Sequence, residues 1–437
     1  MGKYYQSTKF ISNGKLIALS VISLLYLLTS ICFASGLKTI TVSKTDKGVK
    51  SIVQAVEMAV PGDTVLISEG LYQEGGPILI DKPLTLISLE NAVIDGQFKG
   101  EIIQVFSDDV TIKGLTIQSS GSSNFEDIAA LRVRKAKNIQ ILNNEFRNNF
   151  FAVLIQEGSQ CTITDNVLYA DQDAPKRQLA NGIHCWKSNR IKILNNHVSG
   201  HRDGIYLEFV TDSEINKNIS TNNSRYGLHF MFSHDNGYHY NTIRENGAGV
   251  AVMYSKRVSM THNTFSDNWG NAAYAILLKD INDSEIYHNH FERNTVGVLA
   301  EGSTRIKMQY NHFKNNGWGL KIMGSCDNVQ VNANNFLNNT FDLATNTSFL
   351  DNNFDGNYWD KYEGYDLDRD GVGDVPFRPV GLYSLLIERN PSILMLFRSF
   401  FVNLMDKAER ILPGLTPVNL IDETPLMRSV KTEIEQL

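Results

Sequence analysis

The sequence lacks a surplus of basic residues, because 41 lysines and arginines stand against 47 aspartates and glutamates. The formal net charge of −6 at pH 7 leaves no basic footprint for a nucleic acid, so no nucleic-acid partner is expected. Cysteine is scarce too: the chain has four, with no CxxC and no Cys/His spacing typical of a zinc site. The composition therefore argues against a nucleic-acid-binding protein and against a zinc domain.

The first segment has the pattern of an export signal. Three lysines precede an uncharged, mostly apolar run at 16–31, and small residues follow it. This pattern predicts a secretory signal peptide at 1–34 and an exported protein. A lipoprotein signal ending at Cys32 is the rival interpretation, which the bulky Ile31 disfavours. Cleavage after residue 34 leaves three cysteines, an odd number, so at least one thiol stays free.

A short Asn-x-apolar pattern recurs through the middle of the chain. Its asparagines are Asn144, Asn166, Asn196, Asn218, Asn241, Asn263, Asn289, Asn311 and Asn334. The intervals between them are 22, 30, 22, 23, 22, 26, 22 and 23 residues. A period this short and regular predicts a solenoid. The alternating, β-branched segments between the asparagines predict strands rather than helices.

A second repeated pattern, Gly-apolar-x-apolar, supports the same register. It begins at Gly182, Gly204, Gly227, Gly249, Gly297 and Gly319. Each coil therefore has a strand, an Asn turn, a short apolar strand, a polar loop, and a strand after the glycine. The predicted fold is all-β, a right-handed parallel β-helix with coils of about 22–23 residues. The stacked asparagines are interpreted as structural, since a side-chain amide ladder satisfies buried backbone groups in the turns.

These patterns divide the mature chain into four parts. Residues 35–75 are predicted to form an N-terminal cap, with an amphipathic helix at Ser51–Ala59, and the first coil. Residues 76–356 form the parallel β-helix, and 357–380 form an acidic Asp/Gly turn region. Residues 381–437 form a helical tail.

Alternation predicts which side chains leave the solenoid on the strand after each glycine. If Ile183, Ile205 and Leu228 point inward, their neighbours point outward. A candidate copper site then lies on one outer strip and comprises His184, His229, Met231 and Met253. Imidazole and thioether are soft ligands that suit copper, above all Cu(I). The alternative is a groove with scattered aromatics and histidines. Two histidines in nearby loops, His201 and His234, are candidates to complete the site.

A second group of histidines flanks the ladder asparagines on neighbouring coils. Its members are His262, His288, His290 and His312. Because turn positions tolerate histidine, structural or surface roles are favoured over a second metal site.

Carboxylates alternate around a glycine turn near the end of the solenoid. The residues are Asp366, Asp368, Asp370 and Asp374. This is the arrangement of an oxygen-only calcium loop, but Phe377 stands where the bidentate glutamate is expected. The rival interpretation is a solvated acidic turn that closes the solenoid.

The tail contains an amphipathic helix candidate at 393–411. Its predicted partner-binding residues are Phe397, Phe400, Phe401, Leu404 and Met405. Their spacing follows one helical face, and too many charges interrupt the segment for a membrane span. Docking to a membrane protein is favoured over a cap packed on the solenoid end.

An enzyme acting on a polysaccharide is the alternative function for such a solenoid. The strip offers Glu208, Arg202 and Asp203, but no coil places two carboxylates in a facing pair. Hydrolysis is therefore disfavoured, whereas a lyase or epimerase stays open.

Three further features carry a family resemblance. They are the Asn357-Tyr-Trp-Asp segment, the Asp/Gly run at 366–374, and the tail from Asn390-Pro-Ser to Leu426-Met-Arg. With the repeats, they make the chain similar to the NosD family of periplasmic maturation proteins for nitrous oxide reductase. The resemblance implies a β-helix that is not an enzyme. It also implies partnership with an ABC transporter ATPase and membrane permease, and location at the inner membrane through that transporter. The implied task is copper delivery, with a copper chaperone, to the copper-sulfur centre of the apo-reductase.

Overall fold

The structure is a computed structural model that describes residues 37–45, 48–171, 179–270, 273–347, 352–397, 399–412 and 420–431. Its large compact unit is Ile40–Leu437. The predicted signal peptide and most of the insertion after Tyr169 lie outside the described residues.

Short parallel strands form three sheets, of 13, 13 and 12 strands. Within each sheet a strand pairs with its equivalents from the coils before and after it, as Lys192–Leu194 pairs with Thr162–Thr164 and Glu214–Asn216. The chain visits the three sheets in turn, once per coil. The prediction of a parallel β-helix is therefore confirmed.

The strands of each sheet are as follows. Sheet 1 comprises Thr39–Val42, Thr64–Ile67, Thr85–Ile87, Thr111–Lys113, Gln140–Leu142, Thr162–Thr164, Lys192–Leu194, Glu214–Asn216, Gly237–His239, Ser259–Thr261, Asn282–Tyr287, Thr304–Gln309 and Gln330–Asn332. Sheet 2 comprises Gly70–Tyr72, Ala92–Asp95, Thr116–Gln118, Glu145–Arg147, Val167–Tyr169, His197–Ser199, Ile219–Thr221, Thr242–Arg244, Thr264–Ser266, His290–Glu292, His312–Lys314, Asn335–Leu337 and Tyr358–Trp359. Sheet 3 comprises Ile78–Ile80, Ile103–Val105, Ala129–Arg134, Phe151–Gln156, Ile183–Trp186, Asp203–Glu208, Tyr226–Met231, Ala248–Met253, Ile276–Lys279, Val296–Glu301, Trp318–Ile322 and Phe341–Ala344.

The core is a continuous column of side chains inside the coils. Alternation sends one side of each strand inward, so that Ile183, Ile205 and Leu228 are buried in a single cluster. Phenylalanines stack directly on one another in successive coils, as Phe291 does on Phe313 with ring centroids 4.7 Å apart. Equivalent residues repeat at the spacing of neighbouring strands, which brings like side chains into contact.

Asparagine side chains form the predicted ladder in the turn between sheets 1 and 2. The Asn196 amide donates to the Ile163 carbonyl at 2.9 Å and to Asn218 Oδ1 at 3.0 Å. Its own Oδ1 accepts from the backbone N–H of Asn166 at 3.0 Å. The ladder therefore pairs backbone groups that the buried corner removes from water.

A second ladder, which the sequence interpretation missed, fills the turn between sheets 2 and 3. Its members include Asn223, Asn246, Asn268, Asn294, Asn316 and Asn339. His201 occupies the equivalent position one coil earlier, where its N–H donates to Asn223 Oδ1 at 3.0 Å. The Asn that stands five residues after most first-ladder asparagines was the available signal.

The N-terminal end of the solenoid carries the predicted cap helix, α1 (Ile52–Met58). The Ser51 side chain caps it by accepting from the N–H of Gln54. Its apolar face, including Ile52 and Val56, is buried in the core cluster. The helix thus covers the apolar cross-section that a solenoid end exposes.

The C-terminal end is closed by a returning segment. Asp422 is fully buried and accepts from the Trp359 indole at 2.8 Å and from the backbone N–H of Asn357 at 3.0 Å. Burial raises the pKa of the Asp422 carboxyl. Leu426 forms bridges to Tyr358 and Val372, so this part of the predicted helical tail is extended and pairs with the last strand of sheet 2.

The tail between these parts contains two α-helices and a 3₁₀ helix. They are α2 (Leu382–Arg389), the 3₁₀ helix Pro391–Leu396, and α3 (Phe400–Ile411). The candidate helix at 393–411 is therefore broken before Ser399, which caps α3 by accepting from the N–H of Val402. No helix in the described part of the chain is long and apolar enough to span a membrane.

The three cysteines outside the predicted signal peptide, Cys161, Cys185 and Cys326, are all buried and unpaired. Burial raises the pKa of the Cys161 thiol to about 11, and burial also raises the pKa of Cys185 and Cys326. Protonated buried thiols are inert, so all three behave as small core residues.

Candidate metal site on sheet 3

The predicted metal residues lie on the outer face of sheet 3, in two neighbouring columns. One column runs through His184, Tyr206 and His229, which are register partners in successive coils. The next column contains Glu208, Met231 and Met253. Their strand neighbours point into the core, so the register that placed these side chains outside is confirmed.

The first column is a stack of rings that separates the two predicted histidines. Tyr206 lies between them, with ring centroids 4.6 Å from His184 and 4.4 Å from His229 and nearly parallel planes. Phe151 continues the stack on the other side of His184 at 5.7 Å. Because a whole ring intervenes, the structure does not bring His184 and His229 to one ion.

His184 instead neighbours a carboxylate. Its Nε2 lies 3.7 Å from Glu208 Oε2, which is too long for a hydrogen bond but close enough for an ion pair. The presence of His184 lowers the pKa of Glu208. In contrast, burial raises the pKa of the Tyr206 phenol, so this group stays protonated.

The two methionines do come together. Met231 and Met253 are register partners on adjacent strands, and both side chains are partly exposed. Directly paired positions have Cβ atoms about 5 Å apart, within reach of a shared ion for long thioether side chains. The Tyr206 hydroxyl lies 3.5 Å from the Met231 sulfur.

His229 lies in the column next to the two methionines. Its Nδ1 lies 3.4 Å from Asp203 Oδ2, and its Nε2 is buried without a hydrogen-bond partner. The two nitrogens of an imidazole point to opposite edges of the ring. Asp203 precedes the ring column along its strand and the methionine column follows it, so Met231 and Met253 lie on the side of the ring column away from Asp203. One nitrogen and two thioether sulfurs form a soft donor set that fits Cu(I).

Two arginines surround the buried carboxylate behind His229. Arg225 Nη1 lies 3.8 Å and Arg202 Nη2 3.9 Å from Asp203 Oδ2, while Asp203 itself is fully buried. The Arg225 guanidinium also lies over the Tyr226 ring at 4.5 Å. Both arginines are half-exposed, so positive charge stands at the edge of the site. The sequence interpretation assigned Arg202 and Asp203 to the alternative enzyme and missed their link to His229.

The other two histidines do not join this group. His201 is fully buried in the second ladder, where burial lowers its pKa to about 4. His234 lies in the turn after the Tyr226–Met231 strand, and burial, the largest cause, also lowers its pKa.

The second histidine group divides in two: His290 and His312 are register partners on sheet 2 with tilted rings 6.1 Å apart, while the other two belong to a ring stack on the corner between sheets 1 and 2. His262 and His288 stack at 5.0 Å, with Tyr240 and Tyr310 continuing the stack at either end. Across the described residues, the only three His, Cys, Asp or Glu side chains with ligand atoms within 4.8 Å of one another are Asp366, Asp368 and Asp370. The corner histidines therefore form no such cluster.

The acidic turn is exposed and uses its carboxylates to cap its own backbone. Asp366 accepts from the N–H groups of Arg369 at 2.6 Å and Gly371 at 3.0 Å. Asp374 accepts from Leu367 N–H at 2.7 Å. Calcium binding by this turn stays a prediction.

The tail presents an apolar surface. Phe400 is 82% exposed, Phe401 57% and Leu404 53%. Phe397 is 40% exposed and its ring is tilted against Phe341, with centroids 6.1 Å apart. Met405 differs, because it packs inward against a small cluster that contains Tyr383 and Val402. A side-chain ion pair between Lys321 and Glu388 helps to fix α2 on sheet 3.

Sequence comparison gives two kinds of relative. The profile of a family described as "Periplasmic copper-binding protein (NosD)" matches residues 169–364. A protein of Stutzerimonas stutzeri named "Probable ABC transporter binding protein NosD" is 27% identical over 82% of this chain and 85% of its own length. A protein of the same name from Pseudomonas aeruginosa is 28% identical over 84% of this chain and 89% of its own length.

Solved structures share the fold. The catalytic domain of a GH87 alpha-1,3-glucanase superposes with a TM-score of 0.57 at 13% identity, covering 74% of this chain and 69% of that one. The Dettilon tailspike protein gives 0.54 at 11% identity, covering 70% and 68%. At such identities the likeness shows the β-helix alone.

Fold and site together define a parallel β-helix protein with a soft donor group on one sheet and an apolar helix beside its C-terminal end. The family profile covers the coils that carry the donor group, and the relatives cover most of the chain. The chain is therefore similar over residues 169–364 to the family described as "Periplasmic copper-binding protein (NosD)", and over most of its length to two proteins named "Probable ABC transporter binding protein NosD".

Proposed function

We propose that this protein is a periplasmic accessory protein that handles copper together with an ABC transporter. The family description names a periplasmic copper-binding protein, and the relatives are named as ABC transporter binding proteins. The finer proposal is delivery of Cu(I), received from a copper chaperone, for the copper-sulfur centre of apo nitrous oxide reductase. Copper is the cargo in this proposal, and the protein is not an enzyme.

The observation that carries the proposal is the donor group on sheet 3. His229 Nε2 is buried and lacks a hydrogen-bond partner, and the paired Met231 and Met253 lie in the neighbouring column of the same face. Thioether and imidazole donors without a thiolate favour Cu(I) over harder divalent ions, and the neighbouring Glu208 carboxylate lies against His184. The partial exposure of both methionines leaves one side open for exchange with a partner. Such a site suits transfer of the ion.

The tail supplies the proposed contact with the transporter permease. Phe400, Phe401 and Leu404 form an exposed apolar patch on α3, which water disfavours. An amphipathic helix docked in an apolar groove is a common mode of recognition. The patch therefore supports association with the inner membrane through a membrane protein.

An exported protein that binds or cleaves a polysaccharide is the second candidate. The half-exposed Arg202 and Arg225 favour it, because guanidinium groups bind uronate carboxylates. The arrangement of acids weighs against cleavage, since Asp203 is fully buried behind His229 and Glu208 neighbours His184. Glu208 is the one acid left at the surface of the site's two columns.

The test is anaerobic Cu(I) titration of the mature protein against a chromophoric chelator. We expect one tight Cu(I) per chain and affinities reduced at least tenfold in Met231→Leu, Met253→Leu and His229→Gln. Removing a group that hydrogen-bonds to a metal ligand lowers metal affinity by about 10–100-fold, so removing a ligand itself should lower the affinity at least as much. Met58→Leu, an exposed methionine on α1, is the matched control and should bind as the wild type does.

Two results would contradict the proposal. Unchanged affinity in all three variants would move copper away from sheet 3. Absence of Cu(I) binding, combined with binding of an oligouronate that Arg225→Ala removes, would favour the polysaccharide candidate.

A further inference from the structure

Several buried polar atoms around the donor group lack hydrogen-bond partners. Among the described residues they include His229 Nε2, Asp203 Oδ1 and both ring nitrogens of His184. Native proteins pair nearly all buried polar groups, so these unpaired atoms need an explanation. A site prepared for an absent ion explains the orphaned Nε2, but it leaves the role of the buried Asp203 open.

We propose that Asp203 is the positioning residue of the copper site, whose carboxylate accepts the Nδ1–H of His229 and so presents the Nε2 lone pair to the metal. This inference rests on the proposed function and extends it to a residue behind the donor group. A neutral imidazole carries its proton on one nitrogen only, and a metal needs the other. An acceptor at Nδ1 therefore selects the tautomer that binds.

The geometry restricts His229 to this role. Its ring is stacked on Tyr206 at 4.4 Å with planes 12° apart, and Tyr226 meets it at 4.8 Å in a tilted arrangement. These contacts hold the ring plane while Asp203, 3.4 Å from Nδ1, fixes its rotation. Carboxylate–histidine–metal arrangements orient the ligand and raise its basicity in the same way.

The arginines explain how a carboxylate can be buried there. A buried charge without partners is strongly destabilising. Arg225 and Arg202 place positive charge 3.8 Å and 3.9 Å from Asp203 Oδ2, with their side chains half in solvent. They offset the charge of Asp203 without occupying the position that His229 needs.

The experiment has two readouts on the full mature protein. Long-range ¹H–¹⁵N spectra of protein labelled with ¹⁵N-histidine report the His229 tautomer without metal, with His229→Gln assigning the signal. Cu(I) competition then gives the affinity of the wild type, Asp203→Ala and Asp203→Asn. Asp212→Ala, an exposed aspartate of the same coil, is the matched control.

We expect wild-type His229 to carry its proton on Nδ1. Asp203→Ala should give a tautomer mixture and about 10–100-fold weaker Cu(I) binding, with Asp203→Asn retaining the fold and showing a smaller loss. A proton on Nε2 in the wild type, or wild-type affinity in Asp203→Ala, overturns this inference. The proposed function fails separately, when Met231→Leu and Met253→Leu leave Cu(I) binding unchanged.

Discussion

Replacing one ladder asparagine should destabilise the coils that carry the donor group. Asn196→Ala removes the amide that bonds the Ile163 carbonyl and the oxygen that accepts the Asn166 N–H. The residues that carry these two backbone groups are buried: Ile163 is 0% exposed and Asn166 is 1% exposed. A buried polar group left without a partner costs about 1–3 kcal/mol, so two cost about 2–6 kcal/mol. That is a large share of a typical stability of about 5–15 kcal/mol.

The control is the neighbouring residue. Asn195 is exposed and has a φ of 54°, the same φ that Ala333 adopts at the equivalent position of a later coil. Asn195→Ala therefore keeps an accessible backbone conformation and loses no buried ladder bond. Its expected cost is about 1 kcal/mol, from the lower tolerance of alanine for left-handed backbone.

The assay should report local stability, because repeat proteins unfold by units as well as globally. Hydrogen exchange measured on peptides resolves residues 160–170 from a distant reference such as 282–292. We expect Asn196→Ala to accelerate exchange in the first segment and to lower the thermal midpoint. Equal effects of Asn195→Ala and Asn196→Ala would refute the assignment of stability to the ladder.

Two more predictions concern the tail and a buried histidine. Phe400→Asp combined with Leu404→Asp should abolish co-purification with a co-expressed permease and ATPase, and it should leave the thermal midpoint unchanged because both residues are exposed. The control is Leu89→Asp, since Leu89 is 78% exposed near the other end of the solenoid. Retained co-purification of the double variant would contradict the docking role. His201 has a pKa of about 4 in the folded state against about 6.5 unfolded, so the unfolded chain binds more protons and stability should fall by about 3 kcal/mol as pH drops from 6.5 to 4. His201→Asn should restore the ladder and remove that part of the pH dependence in denaturation curves, and an unchanged dependence would assign it to other groups.

The position of the donor group explains how it could serve a membrane partner. It lies on the same sheet that carries the tail, since α2 packs near Lys321 and Phe341 on the last strands of sheet 3. The rungs between them present Leu277 and Leu299 outward, with no further thioether or imidazole in the ring column. Under the proposed function, copper is therefore expected to leave from the donor group itself. A partner docked on the tail would have to extend along sheet 3 to contact the donor group.

The sequence was sufficient for the fold and for the outward direction of the metal residues. Strict alternation on a β-helix leaves no choice of face once Ile183 and Leu228 are assigned to the core, and a ladder asparagine in each coil from Asn144 to Asn334 fixes the register. The periodic pattern also indicated the cap helix at Ser51. In contrast, the apolar spacing in the tail predicted one continuous helix, whereas the structure has a 3₁₀ helix followed by α3. The two are separate because Ser399 caps the N-terminus of α3.

Only the tertiary structure decided which metal residues meet. Spacing in sequence puts His184, Tyr206 and His229 on successive coils of one strip, and the structure adds that the three rings stack, so that Tyr206 separates the two histidines. The contact between Asp203 and His229 joins residues 26 apart on adjacent coils. It depends on how side chains lean across strands, which alternation does not specify. The sequence by itself thus determined the scaffold and the face, because these follow from periodicity, and the packing of individual rings and carboxylates determined the site.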